Sequence, residues 1–156
     1  MGNHDQMGAT AMIGRADWLS VLARTPRADL IAALDGLPMA GIRWVRPAAM
    51  GMVMCEGRAG GSGSRFSLGQ ATVTRATAQR DGVTGVGYVM GHDPARAEAM
   101  ALADLFIQAG EGGLLETLVA PQRAAQKARR DDRARAAAAT KVEFFTMARN
   151  SSARST

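Results

Sequence analysis

The chain is short of the residues on which most protein chemistry depends. Of its 156 residues, one is cysteine and two are histidine. Cys55 alone can form no internal bridge, which excludes the disulfide-stapled secreted class and suits a reducing compartment. His4 and His92, with that single thiol, cannot build a closed four-ligand zinc site, and one cysteine cannot hold an iron–sulfur cluster. Long apolar runs are missing too: none approaches the roughly 20 residues that span a bilayer. The opening MGNHDQMGATAMIGRADW has neither a basic stretch followed by a continuous apolar run, as a secretory signal requires, nor a Ser or Thr at position 6 for myristoylation. The expected location is the cytoplasm, with no membrane contact.

Lysine is almost absent, since 17 of the 19 cationic residues are Arg. With so much alanine beside it, this reads as the codon bias of a GC-rich genome. Charge is distributed unevenly. Residues 1–120 carry ten Arg and eleven acids, net −1, whereas residues 121–149 carry eight Lys or Arg and three acids, net +5. The basic excess therefore belongs to the C-terminal stretch and not to the domain.

Periodicity organises the rest. Met12, Ala16, Leu19 and Leu22 fall on a helical stripe between Thr10 and Arg24. Thr25-Pro26 offers a cap and a first-turn proline for a second helix over 26–35, which would bury Leu30, Ile31 and Leu34 before Gly36 stops it. From Ile42 the period changes to two. An edge strand ends at Pro47, a second run covers Met50 to Glu56, and GRAGGSGSR at 57–65 forms a loop or wide hairpin. Phe66 to Arg80 is strand-like, and Asp81-Gly82 gives a strong hairpin signal into VTGVGYVMG. Asp93-Pro94 starts the clearest helix, with Ala97, Met100, Ala101 and Leu105 near one face. Gly110, Gly112 and Gly113 end it, LLETLVA adds a turn or two, and Pro121 restarts an Ala-rich, polar helix through residue 139. KVEFFTM then returns to strand-like alternation.

The fold class expected is α+β: an antiparallel meander of about four strands with N-terminal and C-terminal helices packed against it. The expected organisation is a flexible N-terminus over 1–14, a core domain over 15–120, a partner-facing helix and terminal strand over 121–149, and a disordered tail over 150–156.

Candidate sites are few. The loop containing Arg58, Gly60, Gly61, Gly63 and Arg65 has glycines that admit close backbone approach, but it lacks the Lys-Ser or Lys-Thr of a P-loop and precedes a strand where a dinucleotide loop precedes a helix. The preferred reading is a geometric or partner-contacting element, with a direct anion contact as the alternative. Arg75, on a strand among threonines, is suited to a bidentate carboxylate or phosphate contact or, more simply, to a solvent-facing or cross-strand role. Asp93 beside His92 reads as a helix cap. Cys55 reads as a small buried residue. KARRDDRAR at 127–135 could neutralise phosphates, but Asp131 and Asp132 interrupt it and no aromatic accompanies it, so nucleic-acid binding is the weakest reading. Phe144 and Phe145 need a surface to cover them and mark a partner interface. No Ser/His/Asp or Cys/His set is present, and residue chemistry alone stops at an α+β domain that binds other protein.

Four blocks, WLSVLAR at 18–24, RAGGSGSRFSLGQATVTR at 58–75, GYVMGHDPARAEAMALADLFIQ at 87–108 and KVEFFTMAR at 141–149, together resemble the PhnG family, the G subunits of the bacterial carbon-phosphorus lyase system. The resemblance runs from Trp18 to Arg149. It implies assembly with H, I and J subunits, the I subunit being the direct neighbour. It also implies a supporting role in a transferase reaction of organophosphonate catabolism, in which phosphonate is placed on the ribose of ATP and adenine is displaced. ATP would be a substrate of the complex, and this chain would bind no cofactor. The resemblance transfers no catalytic residue. The alternative is a phosphate- or nucleotide-binding subunit whose loop, with Arg58, Arg65 and Arg75, contributes directly to the active site.

Overall fold

Turn chemistry fixes where the sheet begins. In the computed structural model, which describes residues 13–140, Asp81 and Gly82 both take positive φ, 49° and 81°. That pair of angles matches the right-handed twist of the strands it joins. The turn connects β2 (Arg65–Arg80) to β3 (Val83–Met90), and β1 (Arg43–Arg58) lies along the other side of β2. All pairings are antiparallel, in the order β1-β2-β3.

The sheet has three strands where about four were expected, because the two short runs before the glycine loop are one continuous strand. Pro47 lies inside β1 instead of ending it. An edge strand can leave one side of its backbone unpaired, so a missing N–H is tolerated there. The ladder skips between Arg46 and Ala49, where the proline sits. The strand also runs on to Arg58, shortening the loop to residues 59–64.

Helices cover one face of this sheet, giving an α+β fold. Among them are α1 (Arg15–Leu22), α2 (Arg27–Ala33), α3 (Pro94–Ala109) and α4 (Ala120–Ala139). The expected start of the first helix, at Thr10 and Met12, lies outside the described residues. Thr25 does not cap α2: it is fully buried and its hydroxyl donates to the Val21 carbonyl at 2.9 Å, closing α1 instead. Asp93 does cap α3, its carboxylate accepting from the Arg96 N–H at 3.1 Å. Leu115–Val119 form a π-helical turn that runs directly into α4, so Pro121 continues a helix already begun.

α3 is the element around which the core forms. Ala97, Ala101, Leu105 and Phe106 are fully buried, joined by Leu22, Leu30 and Val119 from the other helical segments and by Ala76, Ala78 and Val89 from the sheet. Burying one Leu or Phe side chain stabilises by roughly 1.5–3 kcal/mol. Its approach to β3 is unusually close: a Cβ at Gly87 would stand 1.8 Å from the Ala97 carbonyl oxygen, and one at Gly85 2.1 Å from that of Ala101. Glycine on the strand and alanine on the helix bring the two backbones together. Ile31, expected in this core, is half exposed. The expected strand KVEFFTM, with Phe144 and Phe145, lies outside the described residues.

Candidate functional site

At the distal end of the β1–β2 hairpin, Arg58, Gly60, Gly61, Gly63 and Arg65 come together. Ala59–Gly61 make a single 3-10 turn, and the Gly63 N–H donates to the Ala59 carbonyl at 2.8 Å. A Cβ at Gly63 would stand 2.4 Å from that same oxygen. Arg58 and Arg65 face each other directly across the ladder, an arrangement that repels. Glu56 relieves it in part, with its carboxylate 3.6 Å from the Arg65 guanidinium. Arg75 is not part of this cluster. Ten residues along β2, it stands roughly 33 Å away, next to Gly51 and opposite Tyr88.

The same hairpin has a feature the sequence reading missed. β3 pairs with β2 no further than Val73, so beyond that point β1 and β2 pair only with each other. Seven cross-strand pairs, from Met52–Thr72 to Arg58–Arg65, make an arm roughly 24 Å long. Strand alternation puts Met50, Met52 and Met54 on one face. Phe66 and Leu68 share the opposite face with Gly57, whose Cβ position lies 3.3 Å and 3.1 Å from their side-chain atoms. All five are exposed, Met52 the most at 70%. A two-stranded ribbon that carries apolar side chains on both faces with nothing over them is marginal in water on its own. The signal was present in the sequence as methionine at every second position from 50 to 54.

Elsewhere the polar groups serve the fold. Asp104 is fully buried and accepts from Arg15 Nη2 at 2.7 Å, Trp18 Nε1 at 2.8 Å and the Val86 N–H at 2.9 Å. It ties α1, α3 and β3 together. Arg96 donates to the carbonyls of Ala23 and Thr25, at 2.6 and 3.0 Å. Arg80, nearly buried, bonds Glu111 and lies 5.0 Å above the Phe106 ring. Cys55 is half-buried, not buried as expected, because it sits on the arm. His92 is exposed beside the capping Asp93. Among the described residues, no cluster of three or more His, Cys, Asp or Glu is placed to hold a metal ion. Likewise no helix there is long and apolar enough to cross a membrane. An open cleft of about 480 Å³ between α2 and α3 is lined by Ile31, Met39, Trp44 and Leu102, and also by Asp35 and Glu98.

Fold and surface together define a small α+β domain with a long uncovered hairpin and, among its described residues, no nucleophile–base pair or metal cluster. The family model described as "Phosphonate metabolism protein PhnG" matches residues 13–150, and the chain belongs to that family. It is 38% identical over 140 residues to a protein of Rhizobium meliloti (strain 1021), covering 86% of this chain and 88% of the relative. That relative is named alpha-D-ribose 1-methylphosphonate 5-triphosphate synthase subunit PhnG.

Proposed function

We propose that this chain is a non-catalytic subunit of the carbon-phosphorus lyase core complex, acting in organophosphonate catabolism in the cytoplasm. The relative's name supports membership in a multi-subunit synthase. The observation that carries the subunit reading is the β1–β2 arm, whose two apolar faces call for a covering surface. In this reading the complex transfers phosphonate onto the ribose of ATP with displacement of adenine, and ATP is a substrate of the complex. The chain itself holds no cofactor. Its partners are the H, I and J subunits, with I in direct contact, and residues 121–149, including Phe144 and Phe145, face a partner.

The glycine tip fits the same reading. Its backbone is closed on itself by the Gly63–Ala59 bond, and Arg65 lies beside Glu56. That pairing leaves the tip suited to shape recognition more than to gripping phosphate.

Two measurements test the proposal together. The purified full chain, given ATP and methylphosphonate, should release no adenine, while the assembled complex does; turnover by the chain alone at a comparable rate would overturn it. Met52→Glu places a charge on the exposed arm, so the variant should fold with unchanged Tm yet fail to co-purify with the I subunit. Full recovery of the complex with that variant would remove the arm from the interface.

A further inference from the structure

The C-terminal helix arranges its charges in two sectors. On one side Lys127 pairs with Asp131 at 2.6 Å, and Arg135 pairs with Asp132. Both acids of the run 127–135 are thus neutralised locally, by cations one helical turn away. The interruption that weakened the basic stretch in the sequence is absent from the opposite side of the helix.

There, Gln126, Arg129, Arg130 and Arg133 follow the i, i+3, i+4, i+7 spacing of a single face. Gln126 is buried, and its amide donates to the Val21 carbonyl at 3.0 Å, which seats this face against the end of α1. Arg24, just past α1, then meets the arginines of α4 from a second element. Arg24, Gln126, Arg129, Arg130 and Arg133 line an open cleft of about 380 Å³. Among the described residues, none of these four guanidiniums has an acidic partner within salt-bridge distance. The nearby carbonyls of Val21, Ala23 and Thr25 are already taken by Gln126, Arg96 and Thr25.

Four like charges around one concavity repel, and the repulsion is felt within the helix at the 129/133 and 130/133 spacings. The same helix places its two acids where they pair other cations. A multiply charged anion in the cleft would relieve the repulsion, and guanidinium forks match phosphate oxygens two at a time. The cleft volume falls within the roughly 300–1,000 Å³ of small-ligand sites. An extended nucleic-acid track would need basic residues along the helix and aromatic surfaces for stacking. Here the charge converges on one hollow and its lining contains no aromatic.

The geometry points to a binding site for a small polyphosphate anion, such as a triphosphate group, formed by Arg24, Arg129, Arg130 and Arg133. The site is built by this chain alone, and because Arg129, Arg130 and Arg133 belong to the stretch proposed to face a partner, its ligand would lie along that interface in the assembled complex.

Calorimetric titration of the full chain with inorganic tripolyphosphate at about 0.1 M salt tests it. Saturable binding is expected, tighter than that of sulfate. Arg24→Gln and Arg130→Gln should each weaken it about tenfold. Lys127→Gln, on the paired side of the helix, should change it less than twofold. All these side chains are exposed, so the variants retain the fold. Absence of saturable binding, equal affinity for sulfate, or indifference to Arg24→Gln would each overturn the site. Tighter binding of a single-stranded RNA oligomer than of tripolyphosphate, lost in the same variants, would overturn it in favour of nucleic acid.

Discussion

Asp104 concentrates the fold's polar bonding in one carboxylate. It takes Arg15 and Trp18 from α1 and the Val86 N–H from β3, and the carboxylate that receives them is itself fully buried. Arg15 is 43% exposed, so its ion pair is screened and contributes little by itself. The larger cost of removing the carboxylate is the indole and backbone N–H groups left without an acceptor. Asp104→Ala should therefore destabilise by about 3 kcal/mol or more, a Tm loss of roughly 6–12 °C. Thermal melting by circular dichroism measures it, and a loss below 1 kcal/mol would show that the hub is replaceable. The sequence contained the clue: Asp104 falls beside Leu105, four residues after Met100, on the stripe recognised as buried. Apart from Gln108 one turn along α3, its partners stand 18 to 89 residues away, and no local pattern reveals them. The arginines that read as codon bias include Arg15, Arg80 and Arg96, each bonded to a distant segment.

At the scale of elements, the contact of β3 with α3 sets the thickness of the domain. Gly85 and Gly87 face the helix at distances no side chain could occupy. Gly87→Ala should force the helix away from the sheet and cost at least the roughly 1–3 kcal/mol of an overpacked core. A lowered urea midpoint with unchanged slope is the expected result. An unchanged midpoint would mean that the backbone can yield at no cost. The helix α3, its Asp93 cap and the Asp81-Gly82 turn were legible because each is encoded within a few residues. The pairing of glycines on one element with alanines on another was not legible, since it depends on how the strand is set against the helix. The merging of two runs into β1 was hidden for a related reason. Proline argues for a strand end unless the strand is known to be at an edge, and edges are assigned by the sheet, not by the strand.

Over the whole molecule, the two ends differ in what they offer. The helical end is closed around Phe106, Leu30 and Val119, while the sheet extends past its own cover as an arm with methionines on one face and Phe66 and Leu68 on the other. The candidate residues named from sequence divide along the same line. Arg58, Arg65 and the glycines sit at the arm's tip, Arg75 at its root, and Phe144 and Phe145 outside the described residues. What the sequence did not reveal is that this hairpin outruns its third strand, because strand lengths only acquire meaning once paired.

The row of Met50, at the root, with Met52 and Met54 along its length, also makes the arm a chemical recorder. Exposed thioethers take up oxygen from peroxide and become polar sulfoxides, whereas Met100, buried on α3, is shielded. Chains waiting for a partner would accumulate oxidation on the arm first, and a sulfoxide there would spoil the apolar face that a partner must cover. Brief peroxide treatment followed by peptide mass spectrometry should mark these three residues in the free chain well ahead of Met100, and spare them once the complex has formed. Equal labelling in free and assembled protein would show that the arm stays in solvent. Reductase repair of methionine sulfoxide would then set how long an unpartnered copy remains fit to assemble.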